Sequence, residues 1–249
     1  MLDTMAEGRL IVGMLRGTTN EMMTYDLNPA ESRERTDEGM ELILRAWKEP
    51  VPFGWQGRHF HYRTVSVWPK PLQQPLPPMY ALGTSREASD FAARNHIGLG
   101  VSFGPFDAMG KVTGYYKEEC ARYGWQPQPH QIVYRANILI GEKAQQALAQ
   151  YPRQAVFPLK AGVAATLLEL DQRNVAGEGR RPGNVNRVLP INFCGGPDEI
   201  VAQLKECREQ IGAGVVDLFF QTPGSEDPDE LMEALELFGK KVLPHIRDI

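Results

Sequence analysis

The chain has 249 residues, 42% hydrophobic and 23% charged, a composition that suits a globular protein of one large domain or two small ones. A formal net charge of −4 speaks against a general nucleic-acid binder, and no apolar run approaches the roughly 20 residues of a membrane span. Cys120, Cys194 and Cys207 are an odd, widely spaced set without a CxxC pair, which speaks against a disulfide framework or a structural zinc and predicts reduced thiols in the cytoplasm.

Strand and helix signals alternate along the chain. The opening LDTMAEGRL reads as the end of a helix running into a strand over residues 9–15, and a helix is predicted over 30–48. Aromatic and β-branched residues from Phe53 onward predict a small β-hairpin, closed by a proline-rich turn through Pro78. A short strand over 79–82 breaks at Gly83. The helix that follows, over 86–95, places Ala88, Phe91 and Ala92 on one face, and Thr84 and Glu87 stand at capping-box spacing. Strands are then predicted over 97–103 and 132–140, with helices over 106–123 and 142–151. The polar excursion over 157–190, rich in glycine and charge, predicts a mobile lid or a surface loop. A helix over 197–211, a strand over 214–221 and a helix over 227–246 complete the chain. Near-continuous apolar strands separated by amphipathic helices indicate a parallel sheet covered by helices.

Few residues carry chemistry. Gly83 lets a ligand approach the backbone, and the first N–H groups of the next helix point outward beside the Thr84 and Ser85 hydroxyls. Together they suit an anion, most often phosphate, although an ordinary capped βα turn has the same signature. Arg16-Gly17 follows the first strand, where βα loops place ligand groups, and a guanidinium there suits an anion; a surface arginine at a turn reads the same way. His59 and His61 alternate on the hairpin without a third ligand, so packing or exposure is expected of them rather than metal binding. His96 is expected to act as a cation at a helix C-terminus. Asp217, inside an apolar strand, must be paired or reach the mouth of the fold, and a structural salt bridge is expected. The chain carries no Walker sequence, GxGxxG, HExxH or Ser-His-Asp arrangement, which counts against hydrolases and nucleotide kinases.

In this order the pieces resemble the bacterial luciferase-like flavin monooxygenase family, over essentially the whole chain. The run from Gly8-Arg9 to Arg16-Gly17 looks like the family's fourth barrel strand. The helix with Arg33, Arg35, Glu38 and Trp47 follows, then the aromatic hairpin and the prolines to Pro78. The stretch 83–93 resembles the family's phosphate-binding turn, and segments 195–200, 212–214 and 238–244 match its carboxyl end. The resemblance implies an α/β fold: an incomplete (β/α)8 TIM barrel with strands 4–8 present and strands 1–3, on the order of 90 residues, absent. It implies one domain over 1–249, with 53–78 as a hairpin insertion and 157–190 as the lid.

The same resemblance implies an FMN-binding site at the carboxyl ends of the strands. Arg16 would hold the phosphate through its side chain, Ser85 would donate its hydroxyl, and the backbone from Gly83 through Thr84 and Arg86 would complete the cradle. Ala88 stands where luciferase carries a second phosphate-contacting hydroxyl. The implied function is a flavin-dependent monooxygenase that uses reduced FMN and O2 on an organic substrate, served by a separate flavin reductase and assembled as a homo- or heterodimer. F420-dependent hydride transfer on the same fold is the alternative, and a non-catalytic flavin-binding or scaffold subunit is a third reading. Catalytic residues are expected on the absent N-terminal strands, so these 249 residues alone are expected to be poorly stable and weakly active. No metal, nucleic acid or membrane is implied.

Overall fold

Five strands pair in parallel and in chain order, so that each neighbour in space is the next strand of the winding path. They are β1 (Val12–Leu15), β4 (Met79–Leu82), β5 (Gly98–Ser102), β6 (Ile132–Ile140) and β10 (Val215–Phe219). The computed structural model describes residues 1–17, 22, 25–148, 156–158, 186–188, 191–220 and 227–247. Helices α2 (Ser32–Lys48), α3 (Arg86–Arg94), α4 (Phe106–Arg122), α5 (Pro197–Ile211) and α6 (Pro228–Lys241) lie between or after these strands, and a short α1 (Leu2–Met5) precedes them. Sequential parallel pairing with intervening helices is the winding of a singly wound α/β sheet.

Burial explains the arrangement. Alternate strand residues point to opposite faces. Met14, Met79, Ala81, Leu99, Val101, Ile132, Tyr134 and Ala136 join one apolar core with Phe91 and Ala92 of α3, Tyr116 of α4 and Ile200, Leu204 and Ile211 of α5. The residues between them face away from the helices, and there Leu15, Leu82 and Val215 are exposed. Among the described residues, β1 and β10 each pair along one edge of this path.

Helix boundaries follow local rules. α5 begins with Pro197, and the Glu199 carboxylate accepts the Gly196 N–H at 2.6 Å. It ends where Gly212 takes a left-handed φ of 74° and donates its N–H to the Arg208 carbonyl at 2.9 Å. Predicted spans 79–82, 132–140 and 197–211 coincide with β4, β6 and α5. Strand β9 (Phe193–Gly195), three residues beside the end of β6, was not expected. The predicted lid over 157–190 lies outside the described residues, except that β7 (Val156–Pro158) and β8 (Asn186–Val188) pair antiparallel at its two ends. All three cysteines are unpaired, and burial pushes the Cys120 thiol up to about 11 and the Cys207 thiol to about 12.

The hairpin of β2 (Phe53–Gln56) and β3 (His61–Val65) is docked on α2 by one carboxylate. Glu38 accepts from the Trp55 indole at 2.9 Å and from the backbone N–H groups of Arg58, His59 and Phe60 at 3.0, 2.8 and 3.0 Å. Arg45 and Arg35 lie over the rings of Phe53 and Phe60 at 4.1 and 5.0 Å. The expectation that His59 and His61 share a face fails, because His59 sits in the turn before β3. Its ring is buried with Nε2 3.6 Å from the Glu34 carboxylate, whereas His61 is exposed. His96 follows the cap residue Asn95 and stacks on Trp125 with ring centroids 5.0 Å apart, so it acts in packing.

Burial raises the Glu38 pKa, but its four hydrogen bonds outweigh that and bring it from 4.5 to about 2. A depressed folded-state pKa gives stability that is present above the unfolded value and lost as pH falls through the folded one. Glu38→Gln is expected to lower the thermal midpoint at neutral pH and to flatten the loss of stability between pH 4.5 and 2. Calorimetric scans across that range check it; identical pH profiles for the two proteins would contradict it.

Candidate functional site

The register of β1 against β4 sets Leu15 opposite Leu82. The residues that follow, Arg16-Gly17 and Gly83-Thr84-Ser85, therefore leave the sheet side by side at its carboxyl edge. Gly17 has a φ of 87°, which a side chain would strain, and this turns the chain sharply after Arg16. Gly83 donates its N–H to the Gly100 carbonyl at 3.0 Å, and a Cβ there would stand 3.2 Å from the Ala88 methyl. The turn is tight against the first turn of α3.

Ser85 is the N-cap of α3, with extended backbone, and its Oγ accepts the Ala88 N–H at 3.3 Å. The cap thus lies one residue beyond the expected Thr84, and the Thr84–Glu87 pairing does not form. Arg33, in the first turn of α2, donates from Nη2 to the same Oγ at 3.1 Å. A cavity of about 260 Å³ opens here, lined by Arg16, Arg33 and Asp37 on one side and by Gly83, Thr84 and Ser85 on the other. Met14, Met40 and Phe91 form its apolar wall.

Guanidinium groups and carboxylates meet at this cavity. Glu87 is held below the usual carboxylate range first by its own backbone N–H, then by the Ser85 hydroxyl, with Arg33 and Arg16 adding their charge. Asp37 is pushed up by burial, against the pull of Arg33, whose Nη1 lies 3.9 Å away. Two guanidinium groups and the hydroxyl of a helix N-cap thus line one cavity.

Of the residues expected from the sequence, Arg16, Gly83, Thr84 and Ser85 meet around this cavity. Arg86 is not among the residues that line it, and its guanidinium lies 4.9 Å over the Tyr115 ring. Arg33 had no assigned role; it is 52 residues from Ser85 in sequence, and only the packing of α2 beside α3 brings the two together. Asp217 is paired as expected, accepting from Arg135 Nε at 2.7 Å. Among the described residues no group of three or more His, Cys, Asp or Glu could hold a metal, and no helix is long and apolar enough to cross a membrane.

The model of the luciferase-like monooxygenases matches residues 1–214. The chain belongs to that family. The oxygenase component of a flavin-dependent trigonelline monooxygenase from Acinetobacter baylyi is 25% identical over 142 residues, or 54% of this chain and 38% of that protein. The aligned stretch thus spans well under half of that relative. A monooxygenase structure from Streptomyces bottropensis matches with a TM-score of 0.75 at 24% identity, over 98% of this chain and 71% of the other. The oxygenating constituent of 3,6-diketocamphane monooxygenase from Pseudomonas putida, in complex with FMN, gives 0.69 at 16%, over 98% and 73%. An F420-dependent secondary alcohol dehydrogenase gives 0.68 at 15%, over 99% and 72%. At these identities the likeness is one of fold: a mixed α/β structure built on the parallel sheet of luciferase-like neighbours.

Because Ser85 Oγ caps α3, Ser85→Ala is expected to lower unfolding stability by about 1 kcal/mol, and Ser85→Gly by only a few tenths. Urea midpoints read by circular dichroism check this, and equal losses for the two variants would contradict the capping role.

Proposed function

We propose that this chain holds FMN by its phosphate in the Arg16–Arg33–Ser85 cradle and serves as a flavin-dependent monooxygenase acting on an organic substrate. The observation that carries the reading is the convergence of two guanidinium groups on one helix N-terminus beside a glycine turn. A phosphate monoester carries nearly two negative charges, which two arginines match. Ala88 offers no hydroxyl, and Arg33 supplies the donor that its position lacks. When bound, reduced flavin provides the electrons that activate O2. The residues of this chain anchor and orient the cofactor, and the apolar wall of Met14, Met40 and Phe91 keeps water from the clamp.

In this reading β1, β4, β5, β6 and β10 are strands 4–8 of a (β/α)8 barrel, closed by further strands on the edges of β1 and β10, and catalytic groups near the flavin ring come from those strands. A separate flavin reductase and a second subunit are proposed partners. The F420-dependent neighbour keeps hydride transfer as a second reading. The single charge of the F420 phosphodiester is a poorer match for two arginines than FMN.

Equilibrium titration with FMN and with riboflavin, which lacks the phosphate, tests the proposal. The wild-type protein is expected to prefer FMN, and Arg16→Ala and Arg33→Ala are each expected to weaken FMN roughly tenfold, about 1.4 kcal/mol, while leaving riboflavin unchanged. Unchanged FMN affinity in both variants overturns the clamp, and tighter binding of F420 than of FMN selects the second reading.

A further inference from the structure

The face of the sheet turned away from the helices carries a row of paired polar residues, with Asn137 two positions beyond it opposite Phe219. Register places Leu82 against Gly100, Gly100 against Val133, and Val133 against Val215. That row is apolar. Two positions nearer the carboxyl ends on the same face, Ser102 stands against Arg135 and Arg135 against Asp217. Arg135 and Asp217 are about half exposed there, at 47% and 46% of their side-chain surface.

Asp217 takes Arg135 by Nε at 2.7 Å and is the one acceptor of that guanidinium among the described residues. The two Nη groups form the edge that matches a carboxylate bidentately. The guanidinium also lies 4.6 Å over the Phe219 ring, which fixes its plane. Phe103 stands 6.0 Å from Phe219 and supplies a second flat wall.

Phe103 is itself unusual. Its φ of 59° is left-handed, a conformation that a bulky side chain rarely adopts. Three hydrogen bonds hold the segment: Phe103 N–H to the Arg135 carbonyl at 2.9 Å, Gly104 N–H to the Ser102 carbonyl at 2.8 Å, and Asn192 Nδ2 to the Phe103 carbonyl at 3.2 Å. A half-exposed ion pair adds little stability, which does not account for a strained aromatic whose N–H and carbonyl are both held. Strain that the surroundings over-determine is concentrated at binding sites.

We propose that Arg135, oriented by Asp217 and walled by Phe103 and Phe219, anchors the carboxylate of an aromatic carboxylic acid. β6 lies three strands from β1, on the order of 14 Å across the sheet, so this subsite is separate from the phosphate cradle and sits on the row where β5 ends at Ser102. The inference rests on the proposed monooxygenase only in taking this acid as the substrate class of that site. The anchoring itself is independent of the flavin.

The test uses benzoate and its neutral isostere benzamide as probes, titrated calorimetrically into the protein with and without FMN. Benzoate is expected to bind on the order of tenfold more tightly than benzamide. Arg135→Gln is expected to abolish that preference and Arg135→Lys to keep part of it, with circular dichroism confirming that both remain folded. Equal affinities for the two probes in the wild type, no measurable binding of either, or an intact preference in Arg135→Gln overturns the proposal. If FMN itself fails to bind, the cofactor reading falls while the flavin-free titration still judges this subsite.

Discussion

The parallel pairing of β1 with β4 is the constraint on which the site depends. Setting Leu15 against Leu82 decides that Arg16 and Gly83 leave the sheet together. Burial enforces that register, because Met14, Met79 and Ala81 must all face α3 and the core. A slip of one residue would turn those side chains to the open face and carry Arg16 away from Ser85. The geometry of the cavity is therefore a consequence of packing several residues below it. None of its polar groups needs to contribute much to stability for the geometry to hold.

Within the cradle, charge is balanced locally. Arg33 lies between the Ser85 hydroxyl and Asp37, and Glu87 is drawn down by its own N–H and the same hydroxyl. Burial works against ionisation of Asp37, so of the two carboxylates it is the one less well stabilised as an anion. The Arg33 guanidinium thus faces partners that satisfy it weakly, at 3.1 and 3.9 Å, and a dianion could compete for it. A site that bound its own side chains tightly would have to break those contacts for every ligand.

Those parts that rest on local pattern were legible in the sequence. β4, β6 and α5 emerge with the spans that apolar periodicity and end signals indicate. Gly83, Ser85 and Arg16 could be singled out because each stands at a strand end beside a glycine. What was not legible depends on distance along the chain or on one-residue geometry. Arg33 looks like any helix-surface arginine until α2 is laid beside α3, and no local signal separates it from Arg35, which instead covers Phe60. Thr84 and Ser85 are both competent caps, and the choice fell to the residue whose Oγ could take both the Ala88 N–H and Arg33. β9 is three residues long, below the length at which alternation carries information. His59 was misplaced because the hairpin turn interrupts the alternation that would have put it beside His61.

The two faces of the sheet divide the labour of the fold. The helix-covered face holds the apolar core, with large buried side chains such as Tyr116, which packs on Trp125, and Tyr134, which packs on Phe193. On the other face, Gly98 and Gly100 are crowded by Tyr80 and Leu82, so that a Cβ at either would come within 2.4 Å or 2.3 Å of them. β5 thus gives up side chains on that face beside two large ones, which keeps the surface low until the row of Ser102, Arg135 and Asp217. The charged groups therefore appear on the row where β5 ends, next to the left-handed Phe103. An α/β sheet places its chemistry at those ends because the backbone there is released from pairing and can turn toward a ligand. Arg16, which follows the last residue of β1, obeys that rule, whereas Arg135 stands inside β6 and is paired in register with both neighbouring strands.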